Sequence, residues 1–338
     1  MNNHSPLVAK LPSNQFDHFY RGGNRIGKLR KGPGGPMRPE EWIASTTTRF
    51  GQSVNGLSLL ADGKLLRDEI EANPITWLGE KHFKKYGSSI EILVKLLDPD
   101  QRLPVHYHPD KKFAADKLHL DHGKTEAWII LDAPDGAKVG VGFNRKMSKT
   151  EVAKLVNDHD SQGLLDSLNF LKVKAGDVVF VPAGVAHAIE AGIFVLELQE
   201  PTDLSILLEW DGFAVDGDKD GHLDLGYEIA LDALRLDPLS DAENAEIITR
   251  FDKSDNNSKR IFNSIADDFF RADYLAGDQT QIEAGFGILL ALEGSGSLEF
   301  ENGESFSVES GDAVVIAHQA GSFTLRDCKA IISRPPLA

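Results

Sequence analysis

The chain has 338 residues, 41% hydrophobic and 26% charged, with a formal net charge of −16. That length allows more than one packing unit, and the balance is that of an ordinary soluble globular protein, which excludes a disordered or fibrous chain. The negative field disfavours nucleic acid and anionic membranes as partners, and the single cysteine, Cys328, excludes an internal disulfide or a thiolate-rich zinc site.

The opening segment to Pro36 is rich in Gly, Pro and basic residues, among them Arg25, Lys28, Arg30 and Lys31, and reads as irregular or short-strand structure. No basic region followed by an apolar run opens the chain, and no stretch approaches the roughly 18 apolar residues of a membrane helix, so a cytoplasmic protein is expected. EEWIAS then has strand character. Residues 57–87 carry apolar side chains at helical spacing, broken by Pro74, which predicts two or three short helices. From Ile90 the runs EILVKLLD, LPVHYHP, EAWIIL and AKVGVGF, rich in branched and aromatic residues and divided by turn formers, predict antiparallel strands. Ser148 followed by Glu151 has the form of a capping box, so 148–168 is expected as a helical insertion. Strands resume in LKVKAGDVVFVPAG, HAIEAG, IFVLELQE and SILLEW. After a first unit at 1–235, residues 236–280 read as a helical connector, its helical pattern beginning in GYEIALDAL, and 281–338 as a second strand-rich unit.

The two strand-rich regions share a pattern. LKVKAGDVVFVPAGVAHAI and FSVESGDAVVIAHQAGSFTL both run strand, Gly-Asp turn, strand, small-residue turn. This predicts two β-sandwich or barrel units of similar topology.

LPVHYHPD places His106 and His108 two apart, on one face of a strand. Glu126 follows at the start of EAWIIL, and His187 follows the turn VPAGVA. Three imidazoles and a carboxylate suit zinc, iron, manganese, nickel or cobalt and leave positions open for water or substrate, a catalytic pattern. Two histidines two apart are common on surface strands, but the joint order of HxH, GKTEAW and PAGxxH is far more specific. His119 and His122 fall in a helical or loop segment where a surface role is expected, and His318 has no companion ligands.

Together with EEWIAS, EILVKLLDPDQRLPVHYHPDKKFAADKLH, GDVVFVPAGVAHAI and ELQEPTD, these motifs resemble the cupin superfamily and, within it, the type I mannose-6-phosphate isomerases. The resemblance implies a mainly β fold with helical insertions, built from two jelly-roll barrel units, the second without metal ligands. It implies one divalent ion, zinc, and an aldose-ketose isomerisation through an enediol on a sugar phosphate, by a monomer or homodimer. Where the family has Leu-Ser-x-Gln-x-His-Pro this chain has LPVHYHP, so His106 replaces an amide ligand. Lys95 and Lys124 fall where the family has pocket lysines, and Glu40 matches the glutamate of its Ala-Glu-x-Trp motif. Glu197 and Asp203 match acidic residues beyond the last histidine. The resemblance thus implies Lys95, Lys124, Glu197 and Asp203 as catalytic and Glu40 as substrate-binding.

One departure bears on the substrate. In the register of PTDLSILLEW, Leu207 stands where the resemblance implies an active-site arginine. Leucine cannot clamp a phosphate, so another cation is expected in that space, and Arg21 in FYRGGNR is the candidate. An isomerase or epimerase of a free or different sugar, and a non-catalytic sugar-binding protein, are the competing expectations.

Overall fold

The computed structural model describes residues 6–252, 257–277 and 280–338. Residues 1–5 of the expected first unit, and 253–256 and 278–279 of the expected connector, lie outside that description. Among the described residues the fold is mainly β, in antiparallel sheets with helical insertions.

Two sheets frame the first half. One has the strand order Ile248–Arg250, Asp177–Val181, Glu126–Asp132, Phe194–Gln199, Leu93–Leu97 and Glu40–Ile43. The other runs Ile206–Leu207, His106–Tyr107, His187–Ile189, Lys138–Phe143 and Leu168–Lys172. In the first sheet Trp42, Lys95, Glu197 and Trp128 are successive cross-strand partners and so share one face. The alternate residues Val94, Leu96, Ile129, Leu196 and Leu198 enter an apolar cluster that also holds Ile288, Leu290, Val315 and Ile331 from the second half. Both faces of this sheet are covered, which is why its strands read as near-continuous apolar runs rather than clean alternation.

A third sheet has the order Val8–Lys10, Ala313–Ile316, Gly287–Phe300, Phe323–Arg334, Arg271–Leu275 and Lys259–Arg260. Gln281–Ile282 and Ser305–Glu309 pair at its side. Its far face closes on Leu289, Leu298, Phe323, Leu325 and Ile332.

Two expectations change. The described residues of 236–280 do not form a helical connector: after the helix Asp241–Glu246 they hold the strands 248–250, 259–260 and 271–275, which extend the first and third sheets. The cause is edge pairing, since Ile248 lies beside Val179 and Tyr274 beside Ile331, and ladder hydrogen bonds outweigh weak local helix preference. The N-terminal segment is likewise not confined to the first half, because Val8–Lys10 is an edge strand on Ala313–Ile316. Three of the four residues of its basic run are committed to ion pairs, Arg25 with Asp98 at 2.6 Å, Arg30 with Glu41 at 2.8 Å and Lys31 with Glu309 at 2.7 Å.

The helices within 57–87 are Leu66–Ala72, Pro74–Leu78 and Glu80–Tyr86. Pro74 opens the second of them, where its missing N–H costs nothing. Lys149–Asn157 and Ser161–Asp166 fill the later insertion. Ser148 accepts the Glu151 N–H at 3.1 Å, but the Glu151 carboxylate turns to Arg145, so half of a capping box forms. Among the described residues no helix is long and apolar enough to cross a membrane.

Candidate metal centre

His106 and His187 are cross-strand partners in the five-stranded sheet, and His108 follows just beyond the strand. Tyr107, between the two histidines, turns the other way and donates its hydroxyl to the Ala230 carbonyl at 2.7 Å. Glu126 opens a strand of the facing sheet. The four side chains therefore meet between the sheets.

Two glycines make this approach possible. Gly184, at φ +83°, occupies the turn before His187 and donates its N–H to the His108 carbonyl at 2.6 Å. A Cβ on Gly123 would lie 2.5 Å from the Lys111 nitrogen, so only glycine lets the strand leading to Lys124 and Glu126 pass beneath the HPD turn.

Each imidazole faces a backbone carbonyl through Nδ1: His106 to Pro104 at 2.8 Å, His108 to Leu204 at 2.7 Å and His187 to Val185 at 2.8 Å. A carbonyl only accepts, so each Nδ1 carries the proton and each Nε2 presents a lone pair. The Nε2 atoms of His106 and His187 are 3.0 Å apart, His108 Nε2 is 3.0 Å from Glu126 Oε2, and His187 Nε2 is 3.3 Å from Glu126 Oε1. Burial, reinforced for His108 by the Lys124 charge, pushes His108 and His187 down to about 3, and burial also holds His106 well below its ordinary value. Added protons are thus disfavoured where three lone pairs and a carboxylate converge. His106, His108 and His187 form a group that could hold a divalent cation, and the Glu126 carboxylate stands beside them as a further oxygen donor.

A second layer of charge surrounds these four. Lys124 Nζ lies 2.8 Å from His108 Nε2 and 3.0 Å from Glu126 Oε2. Lys95 sits between Glu40 at 3.6 Å and Glu197 at 3.9 Å, over the Trp42 ring. Burial works against its charge, but the two carboxylates outweigh burial and raise its pKa. Glu40 accepts from the Tyr20 hydroxyl at 2.7 Å and from Trp42 Nε1 at 2.9 Å. Burial opposes its ionisation too, yet His18, Lys95 and these donors hold it well below the usual carboxylate range. Glu197 differs: burial and the Glu126 charge push it up to about 8, and its Oε1 has no hydrogen-bond partner.

His106, Glu126, Lys124, Lys95, Glu40 and Glu197 line a cavity of about 730 Å³, together with Asp203, Leu207 and Arg49. Asp203 Oδ2 accepts the Phe50 N–H at 3.1 Å, at the loop that walls the cavity. Leu207 is buried on the strand paired with His106. Arg21 does not fill the space beside it: the side chain is exposed and does not line the cavity, because the segment turns Tyr20 inward and its neighbour out. The arginine that does line the cavity, beside Lys95 and Lys124, is Arg49, in TTTRFG, a stretch with no motif to flag it. Tyr20 and His18 were equally unmarked, although both sit beside Glu40. His122 pairs with Glu91 at 3.0 Å, His119 is exposed, and His318 packs against Gly79.

Residues 40–133 match the family model described as "Phosphomannose isomerase type I, catalytic domain". The Bacillus subtilis protein named "Probable mannose-6-phosphate isomerase GmuF" is 31% identical over 261 residues, covering 74% of this chain and 76% of that one. The B. subtilis mannose-6-phosphate isomerase ManA is 34% identical over 161 residues, covering 47% of this chain and 49% of its own. A crystal structure of a B. subtilis mannose 6-phosphate isomerase superposes with a TM-score of 0.75 at 24% identity, covering 97% of this chain and 99% of that one. A variant of the phosphomannose isomerase from Salmonella typhimurium gives 0.74 at 16% identity, covering 98% and 100%.

Proposed function

The chain belongs to the type I phosphomannose isomerase family, and on that premise we propose that it interconverts mannose 6-phosphate and fructose 6-phosphate. The observation that carries this reading is the convergence of His106, His108 and His187 beside Glu126, at a cavity that His106 and Glu126 line with Lys95, Lys124 and Glu197. The bound ion, zinc by the donor set and the family, would polarise the sugar's carbonyl and hydroxyl oxygens and favour their anionic character.

The chain's own groups supply the proton transfers. Aldose and ketose differ by the position of one hydrogen: a base removes the C2 proton, O1 gains a proton to give the enediol, and protonation of C1 with loss of the O2 proton gives the ketose. Glu197, poised near neutrality, suits the group that takes and returns the carbon-bound proton. Lys124 donates toward the oxygens beside the metal ligands. Lys95 holds the Glu40 and Glu197 carboxylates in place, and Asp203 fastens the cavity wall.

The test is conversion of mannose 6-phosphate with exchange of solvent deuterium at C2. Activity is expected to vanish on chelation and return with zinc, cobalt or manganese. Metal-loaded protein that turns over neither phosphorylated nor free aldoses would sink the proposal. Leu207 in the lining favours a second reading, an isomerase of free sugars, and mannose compared with mannose 6-phosphate in one assay separates the two.

A further inference from the structure

Three cations line the cavity, and they differ in what they are free to do. Lys95 and Lys124 are buried and each lies between carboxylates, Glu40 with Glu197 and Glu126 with Glu197. Their charge is already matched. Arg49 is half-buried, and among the described residues its guanidinium makes no ion pair. Its Nη1 donates to the Asp17 carbonyl at 3.3 Å and its plane lies 5.7 Å from the Phe16 ring. Most of its N–H donors remain available in the planar fork that matches a phosphate.

The surrounding backbone holds Arg49 in position. Its own N–H reaches the Asn55 carbonyl at 2.8 Å, its carbonyl accepts from Gln52 at 2.9 Å, and Asp203 binds the next N–H, that of Phe50. A continuous line of contacts then leads inward: Phe16 stacks on His18 at 4.8 Å, His18 approaches Glu40 at 3.6 Å, and Glu40 pairs with Lys95. One wall thus runs from Arg49 to the charged groups beside the metal ligands. Asp17, Asp216, Asp220 and Asp224 also line the cavity; the last three oppose an anion placed beside them, whereas Asp17 adjoins Arg49 through its backbone carbonyl. Asp17 is itself engaged by Arg38 at 3.0 Å.

We propose that Arg49 is the specificity-determining residue of this site and receives a phosphate monoester at the end of the sugar remote from the metal. The assignment rests on the isomerase reading for the identity of the sugar, but not for the existence of the anion site.

Two measurements on the metal-loaded full chain test it, with Arg49→Gln and Arg49→Lys compared with the wild type and metal content checked in each. By calorimetry, inorganic phosphate is expected to bind the wild type, about 10- to 100-fold more weakly the Gln variant, and with intermediate affinity the Lys variant. In turnover, the ratio of kcat/KM for mannose 6-phosphate to that for mannose is expected to fall about 10- to 100-fold in the Gln variant. Wild type without phosphate affinity, a Gln variant that keeps it, or an unchanged substrate ratio overturns the assignment. Phosphate binding that is lost with Arg49 in a protein that isomerises no sugar leaves the anion site standing and removes the isomerase reading instead.

Discussion

The strand-turn-strand segments from Leu171 to Ile189 and from Phe306 to Leu325 are built alike and border different interiors. Each has a positive-φ glycine, Gly176 or Gly311, followed by an aspartate whose side chain accepts a backbone N–H three residues back, Lys174 to Asp177 at 3.0 Å and Glu309 to Asp312 at 2.9 Å. Beyond the second strand they diverge. The first delivers His187 to the buried cluster of His106, His108 and Glu126, whereas the second delivers Phe323 to an apolar cluster with Leu289, Leu298 and Ile332. The one histidine in the second turn, His318, is used against Gly79 as packing. Backbone and turn chemistry set the shape of the segment. What it encloses depends on whether the neighbouring strands bring partners that make buried charge tolerable.

The comparison breaks most sharply if the metal half loses its anionic ligand. Glu126→Ala is expected to abolish stoichiometric zinc by elemental analysis and to lower activity about a thousandfold or more, while the third sheet stays folded by circular dichroism. Next in size, Lys95→Met leaves Glu40 and Glu197 buried without their shared cation. A loss of about 3–5 kcal/mol in urea unfolding is expected, and a loss under 1 kcal/mol would mean the network is not held by Lys95. In the apolar half, Leu289→Ala removes only packing and is expected to cost about 2–5 kcal/mol with zinc content unchanged.

The smallest effect is a pH dependence confined to the charged half. His108 and His187 have folded-state values of about 3, below the ordinary 6.5, so between those limits the unfolded chain binds more protons and stability rises with pH. In chelator, each should cost about 1 kcal/mol of stability on going from pH 7.5 to 5.5, read as a shift in urea midpoint. Loss of this slope in a His108→Gln, His187→Gln double variant would sharpen the contrast, and persistence of the slope would place its origin elsewhere.

The sequence by itself determined a good deal. Strand runs of branched residues, the Gly-Asp turns, the helical stretch from 57 to 87 and the HxH, GKTEAW and PAGxxH order are local patterns, so the β fold, the insertions and the three histidines that converge were legible without coordinates. Glu40, Lys95, Lys124 and Glu197 came from resemblance, and the structure brings them together in one cavity, Lys95 and Glu197 as direct cross-strand partners and Glu40 two residues from Lys95's other partner, Trp42. Long-range pairing decided the rest. The strands at 248–250, 259–260 and 271–275 have weak local signals and exist because a sheet edge was waiting for them. That Arg49 and not Arg21 reaches the cavity depends on which way a side chain leaves an irregular segment, a matter settled by packing against Phe16 and Tyr20 rather than by any spacing in the chain.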